Sequence, residues 1–162
     1  MVGTVSVRLD SDLGLSADAL YRKELDELRQ AGHRLCEFTR LAVDTQAGSK
    51  FVLGGLYHTM WMFAYEVCRR DRGVAEVNPR HVAFYRRYGL FEPIGDERLN
   101  TRVSAPAVLI VWRHEQIPPQ IEKYAGRPDL ANTTRLMFPH WFGAKDAAGI
   151  LRRLQELYDA RS

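Results

Sequence analysis

The alternation of apolar and polar residues divides the first third of the chain into a strand, a helix and a second strand. Residues 2–10 alternate, with Val5, Val7 and Leu9 on one face, which predicts a strand. Helical spacing then extends from Ser16, a predicted N-cap, to Gly32, a predicted C-cap. Residues 34–44 are rich in apolar and β-branched side chains, and they predict the second strand.

The remaining pattern adds three helices and two strands. Residues 51–70 predict about five turns of a strongly apolar helix, and residues 73–77 a short strand. Asn78 and Pro79 are suited to the N-cap and first position of a helix that Gly89 ends. A strand over 105–112 and a helical tail follow. This order predicts a mixed α/β sheet with helices packed on its faces.

Composition indicates an ordinary globular protein. The 162 residues suit one domain, with 46% hydrophobic and 27% charged residues. The apolar runs are too short to cross a bilayer, and the first residues lack the pattern of a signal peptide. We therefore predict no membrane span and a cytoplasmic location.

The cysteines and histidines give no sign of metal chemistry. Cys36 and Cys68 form no Cys-x-x-Cys pair, and the 5 histidines lack metal-ligand spacing. We predict reduced thiols in the core and no metal site.

Positive charge is concentrated between residues 69 and 87, although the net charge is only +3. Such a run is either a solvated helix face or a docking surface for an acidic partner. It contains no recognisable nucleic-acid motif, so nucleic-acid binding is not predicted. The arginines of this run are Arg69, Arg70, Arg72, Arg80, Arg86 and Arg87.

Two charged residues lie in the middle of the second predicted strand. Strict alternation places Glu37 on one face with Leu41 and Val43, and Arg40 on the other. Each charge therefore needs its own partner or water. We interpret Arg40 as a structural ion-pairing residue. Glu37 is either a buried paired carboxylate or a general base at the end of a sheet.

A second informative stretch covers residues 77–92, where a strand meets a helix through Asn78 and Pro79. The helix carries Tyr85, which is either a buried aromatic residue or a general acid that points into a cleft. Asn78, Tyr85, Gly89 and Leu90 resemble a motif of the GCN5-related N-acyltransferase (GNAT) superfamily. The resemblance implies a GNAT-like mixed sheet in which two central parallel strands, residues 36–44 and 74–78, splay apart around the acyl donor's pantetheine arm.

The resemblance can be narrowed within this superfamily. The sequence Glu-x-Thr-Arg-Leu-x-Val-Asp, starting at Glu37, is similar to a signature of acyl-homoserine lactone synthases. Four stretches of sequence, which follow one another in the family's order over residues 12–153, resemble the N-acyl amino acid synthases of the FeeM type more closely. This implies transfer of a fatty acyl group from acyl carrier protein to an amino acid. Glu37 would be the base and Tyr85 the acid.

The same resemblance assigns the donor site. The acyl-phosphopantetheine of the carrier protein, or acyl-CoA, would be a substrate, and no separate cofactor is implied. The main-chain N–H near Val43, where the strand is expected to bend, would stabilise the oxyanion. The loop after it departs from the usual CoA pattern, so it is either a plain turn or a phosphate site. The other donor-binding residues would be Gly48, Ser49, Lys50 and Asn78, and the carrier-binding residues Arg69, Arg70, Arg86 and Arg87.

We expect residues 1–162 to form one N-acyltransferase domain, with 115–162 as a C-terminal extension packed on it. A complete GNAT domain has a further strand and helices before the first strand seen here, so we expect these to be lacking. The acceptor's carboxylate needs a cation, either Arg8 or Arg102. Three alternatives stay open: an acetyl-CoA-dependent acetyltransferase, a lactone synthase, and a non-catalytic module that binds carrier protein or acyl chains.

Overall fold

A computed structural model describes residues 2–44 and 49–162, without the side chain of Ser49. Five strands form one sheet in the order β1-β2-β3-β5-β4. The strands are β1 (Gly3–Leu9), β2 (Leu35–Val43), β3 (Arg72–Val77), β4 (Glu92–Asn100) and β5 (Ala105–Arg113). The helices are α1 (Asp18–Gln30), α2 (Ser49–Trp61), α3 (Val82–Gly89), α4 (Pro118–Tyr124) and α5 (Ala144–Asp159).

The two central strands of the sheet are parallel and part from each other. β2 pairs with β3 only where Leu35, Cys36 and Glu37 face Arg72, Gly73 and Val74. Beyond this point β2 stays paired with β1, while β3 stays paired with β5. The sheet therefore opens into a V, as the family resemblance implied, because each central strand follows its antiparallel neighbour.

A bulge in β2 changes which side chains share a face. Thr4 pairs with Ala42 and Ser6 with Thr39, so one residue of β1 lies opposite two of β2. Arg40 adopts the left-handed conformation, with φ of 54°. An extra residue breaks the alternation of a strand. The predicted face shared by Glu37, Leu41 and Val43 is therefore wrong, and the bend lies at Arg40 rather than at Val43.

The start of α1 also differs from the prediction. Ser16 is not the N-cap; Ala17 has that position, without a side-chain cap. Instead, the Glu37 carboxylate accepts hydrogen bonds from the main-chain N–H groups of Ser16 at 2.7 Å and Ala17 at 3.0 Å. The C-cap of the helix is Ala31, and the predicted C-cap Gly32 is the next residue. Gly32 has φ of 88°, and its N–H donates to the carbonyl of Arg29.

Two further elements were not predicted from the pattern. β4 is an edge strand of mostly exposed residues that includes Pro93 and Gly95, so it lacks a clear apolar alternation. The long apolar helix is also divided, because α2 continues as a π-helix over Met62–Val67. The apolar alternation cannot reveal such a change of helical pitch.

The core has a layer on each side of the sheet. On one side, α1 packs through Tyr21 and Leu25 against strand residues that include Val74 and Leu109. On the other side, α2, the π-helix and the chain after β5 cover a larger cluster. Residues 115–162 are not a loose tail, because they contribute fully buried side chains to this cluster: Ile117, Met137, Phe138 and Trp141.

No helix in the described part of the chain has both the length and the apolar character needed to cross a membrane.

Candidate active site

Two cavities meet at the gap between the splayed strands. The first, here the α2-side cavity, has a volume of about 230 Å³ and is lined by residues that include Tyr57, Met60 and Tyr85. The second, here the α1-side cavity, has about 680 Å³ and is lined by residues that include Ser16 and Glu37. Both cavities share one wall, so they adjoin at the gap in the sheet. The shared residues are Phe38, Thr39, Arg40, Glu76, Val77 and Asn78.

Glu37 lies in the wall of the α1-side cavity and is only 2% exposed. Each of its two carboxylate oxygens accepts a main-chain N–H from the start of α1. Burial raises the pKa of Glu37, while the hydrogen bonds from Ser16 and Ala17 act in the opposite direction. Glu37 forms no ion pair among the described residues, so the interpretation as a buried salt bridge is wrong.

Arg40 does not have the role that the sequence suggested. Its side chain is exposed, and it forms no ion pair within residues 2–44 and 49–162. The bulge turns this position out of the regular ladder. Arg40 therefore borders both cavities as an exposed cation, and the prediction of a structural ion pair is wrong.

Tyr85 projects from α3 into the α2-side cavity and is half-buried. Its ring packs edge-on against Phe91, with ring centroids 5.6 Å apart. Burial raises the pKa of Tyr85, although a hydrogen bond from Tyr57 opposes this shift. The pKa of Tyr57 is raised well above its usual range, chiefly by burial. Both hydroxyls therefore keep their protons at neutral pH, as a proton donor must.

Asn78 lies at the junction, where β3 ends. Its side chain accepts a hydrogen bond from the N–H of Arg80 at 3.2 Å and caps a 3₁₀ turn over Pro79–His81. This confirms the predicted N-cap, although α3 itself begins at Val82. Gly89 ends α3, but the left-handed residue is Leu90, with φ of 62°.

The pattern of the sequence did not single out Glu76 or Asn100. Glu76 is half-buried on β3 and accepts a hydrogen bond from the side-chain amide of Asn100 at 2.8 Å. Glu76 lines both cavities, whereas Glu37 lines only the α1-side cavity. Its position two residues before Asn78, at the end of a strand beside the motif, was the signal that could have revealed it.

Arg8 and Arg102, the two candidate partners of a substrate carboxylate, both line the α1-side cavity. Both side chains are exposed. The structure therefore brings these two cations together with Glu37 and Glu76 around one space of about 680 Å³. Such a set of charges can bind a small zwitterion by its ammonium and carboxylate groups.

The predicted phosphate loop is described only in part. Gly48 lies outside the described residues, as does the side chain of Ser49, although its backbone begins α2. Lys50 is exposed and borders a third cavity, here the outer cavity, of about 670 Å³. Val43 ends β2 opposite Gly3.

The arginine run is distributed over different elements. Arg86 and Arg87 are exposed on α3, where Arg86 pairs with Glu92 at 3.4 Å and Arg87 lines the outer cavity. Arg69 and Arg70 lie between the π-helix and β3. Arg69 is exposed, but the Nε atom of Arg70 is buried.

The described residues offer no metal site and no disulfide. Across residues 2–44 and 49–162, no group of three or more His, Cys, Asp or Glu residues is arranged to hold a metal ion. Cys36 and Cys68 are buried free thiols, as predicted, and burial raises the pKa of both.

Comparison with known proteins agrees with this geometry. The family model described as N-acyl amino acid synthase FeeM matches residues 1–113. Among solved structures, FeeM, an N-acyl amino acid synthase from uncultured soil microbes, is 30% identical, with a TM-score of 0.65. The match covers 71% of this chain and 64% of FeeM, so the chain spans slightly less than two thirds of that protein. No curated protein matches.

The structural match confirms the GNAT-like fold that the sequence resemblance implied. The family match ends at residue 113, the last residue of β5, and so leaves out the C-terminal helices. The chain belongs to the FeeM family of N-acyl amino acid synthases.

Proposed function

We propose that this chain transfers a long-chain fatty acyl group from acyl carrier protein to the amino group of an amino acid, giving an N-acyl amino acid. The observation that carries the proposal is the pair of adjoining cavities at the strand gap. A thioester arm on one side and an amine on the other would meet at their shared wall. Membership of the FeeM family supports the same reaction.

The acceptor would bind in the α1-side cavity. Its carboxylate fits Arg8 or Arg102, and its ammonium fits the carboxylates in the same wall. An uncharged or purely apolar amine would leave the arginine and the carboxylates of this cavity without partners. Such amines are therefore disfavoured as acceptors. An α-amino acid is therefore the acceptor class that this cavity suits best.

The donor arm would lie in the α2-side cavity, where the sheet provides an apolar slot beside Phe38 and Met60. A bulge leaves a main-chain N–H without its ladder partner, and the bulge at Arg40 borders this slot. We infer that an N–H of this bulge, rather than that of Val43, stabilises the oxyanion. The hydroxyl of Tyr85 would protonate the leaving thiolate.

Carrier protein as donor is supported by the outer cavity. Lys50, Arg87 and Arg135 line it, together with apolar residues that include Leu53 and Leu136. These three exposed cations can bind the phosphate of the pantetheine arm and the acidic surface of the carrier protein. The carrier itself would be the partner, in a cytoplasmic location, and acyl-phosphopantetheine would serve as a substrate, with no separate cofactor.

Mass spectrometry of products tests the proposal. The protein is incubated with a pool of amino acids and palmitoyl-carrier protein or palmitoyl-CoA. We expect an N-palmitoyl amino acid from the carrier donor. Product from CoA alone would overturn the donor assignment, and no product from either donor would overturn the activity.

A matched pair of variants separately tests the surface at the outer cavity that is proposed to bind the carrier protein. Arg87→Glu should raise the KM for palmitoyl-carrier protein at least tenfold, roughly the effect of losing one charge-assisted contact. The same variant should leave the KM for palmitoyl-pantetheine unchanged. Arg152→Glu is the control, because Arg152 is an exposed arginine of α5 outside the three cavities. Equal effects of both variants would contradict a specific surface.

A further inference from the structure

The site holds two carboxylates, and their bonding differs. Glu37 has both oxygens engaged by main-chain N–H groups at 2.7 and 3.0 Å. Moving this carboxylate toward a substrate would break both bonds and leave two N–H groups at the start of α1 without acceptors. These contacts make Glu37 a fixed cap of α1.

Glu76 is bound more loosely. Oε2 of Glu76 accepts the amide of Asn100, and no bond to Oε1 is formed by the described residues. Its side chain is half-buried, so it can be reached from the cavities. One fixed oxygen and one open oxygen suit a carboxylate that has to receive a proton.

The register of the sheet places Glu76 beside the gap between β2 and β3, where the two substrates would meet. Glu37 faces Val74 in the last parallel pair of β2 and β3. Glu76 is two residues further along β3, on the same face, where the strands have parted. It lines both cavities, so the nitrogen of an acceptor and the carbonyl carbon of a thioester would meet beside it.

We propose that Glu76 is the catalytic base of the reaction and that Glu37 is a positioning residue. The inference rests on the proposed function. The acceptor ammonium gives one proton to Glu76, and its nitrogen then attacks the thioester carbonyl carbon. The C–N bond forms and the C–S bond breaks as the oxyanion collapses. The Tyr85 hydroxyl gives its proton to the leaving thiolate and takes up the second nitrogen proton, and Glu76 returns its proton to water.

Negative charge at Glu76 also affects its neighbour. Glu76 is among the groups that raise the pKa of Glu37, after burial as the largest cause. The hydrogen bonds from the start of α1 offset that repulsion at Glu37. Glu37 therefore stays fixed in the wall of the α1-side cavity. Arg8 pairs with Glu37 in the antiparallel register of β1 and β2. Asn100 keeps Glu76 aimed at the gap.

The test compares Glu76→Gln, Glu76→Asp and Glu37→Gln with two acceptors. One is an α-amino acid, and the other is its aminooxy analogue, whose nitrogen is already neutral at the assay pH. Glu76→Gln should lower kcat/KM for the amino acid by about 10²–10⁴-fold. With the aminooxy acid the loss should shrink below about tenfold, because no proton has to be removed first.

Glu76→Asp should be intermediate in rate with the amino acid, because it keeps a carboxylate at this position. Glu37→Gln should lower the melting temperature and reduce turnover by the same factor with both acceptors. Glu97→Gln is the charge control, since Glu97 is exposed on β4 and outside the cavities.

Two results would overturn the inference: amino-acid turnover in Glu76→Gln equal to wild type, or an equal loss with both acceptors. If the wild-type protein makes no product, the proposed function fails and the role of Glu76 fails with it.

Discussion

Arg8 and Glu37 are direct partners in the antiparallel register of β1 and β2, yet they form no ion pair. The guanidinium of Arg8 lies 3.5 Å from the hydroxyl of Ser16, while Glu37 is bound by main-chain N–H groups. The positive charge of Arg8 is therefore not neutralised by Glu37. It stays available at the rim of the α1-side cavity.

The first prediction concerns Arg8, which forms no ion pair with any residue that the structure describes. Arg8→Gln should raise the KM for the amino acid about tenfold to a hundredfold, with a smaller change in kcat, because one charge-assisted hydrogen bond to the carboxylate is lost. Initial rates at saturating donor measure this. Arg102→Gln is the matched variant in the same cavity. A large KM effect from Arg102→Gln alone would transfer the role to Arg102.

The second prediction concerns Tyr85. Tyr85→Phe should lower kcat by no more than about a hundredfold, near the lower limit for general acids, because a thiolate leaves readily. With a thiophenyl ester as donor, whose thiolate needs no proton, the loss should vanish. Tyr57→Phe is the control, since Tyr57 contacts the same cavity and Tyr85. An equal loss with both donors would show that Tyr85 only packs.

The third prediction concerns stability in acid. Burial lowers the pKa of His58 and of His114 to about 4. In the unfolded chain both take up a proton near pH 6.5, so unfolding binds protons below that pH. The free energy of unfolding should therefore fall as the pH drops from about 6.5 to about 4, by up to about 3 kcal/mol per histidine.

His58→Asn tests this directly. Nδ1 of His58 accepts the N–H of Phe142 at 3.1 Å, and the asparagine oxygen can take the same bond without titrating. Urea unfolding between pH 4 and pH 7 should show a shallower slope for the variant. An unchanged slope would mean that folding does not lower the pKa of His58.

The fourth prediction uses two glycines. A Cβ at Gly73 would lie 2.2 Å from the ring of Phe38, in the parallel segment just before the strands part. Gly73→Ala should cost at least about 1–3 kcal/mol of stability through overpacking. Gly149→Ala is the control, because a Cβ there meets nothing within 4 Å in the exposed middle of α5.

The control should stabilise the protein by about 0.5–1 kcal/mol through helix propensity. Thermal or urea unfolding of both variants distinguishes the two effects. A Gly73→Ala protein as stable as wild type would mean that Phe38 can move away from the gap.

Much of the fold follows from local pattern. Alternation located β1, runs of apolar and β-branched residues located β2, β3 and β5, and helical spacing located α1 and α5. β4 was missed because an exposed edge strand with Pro93 and Gly95 has no such pattern. The motif around Asn78 and Tyr85 was sufficient to suggest the family.

The sequence by itself determined the order of elements, the presence of two charged residues within β2 and the family to which the chain belongs. The tertiary structure alone decided that Glu37 caps α1, that Arg40 turns outward at a bulge, and that Glu76 stands at the junction with Asn100. Ser16 and Glu37 are 21 residues apart, and Glu76 and Asn100 are 24 apart. Local propensity does not encode which distant groups meet, because that depends on how the strands pair and where they part.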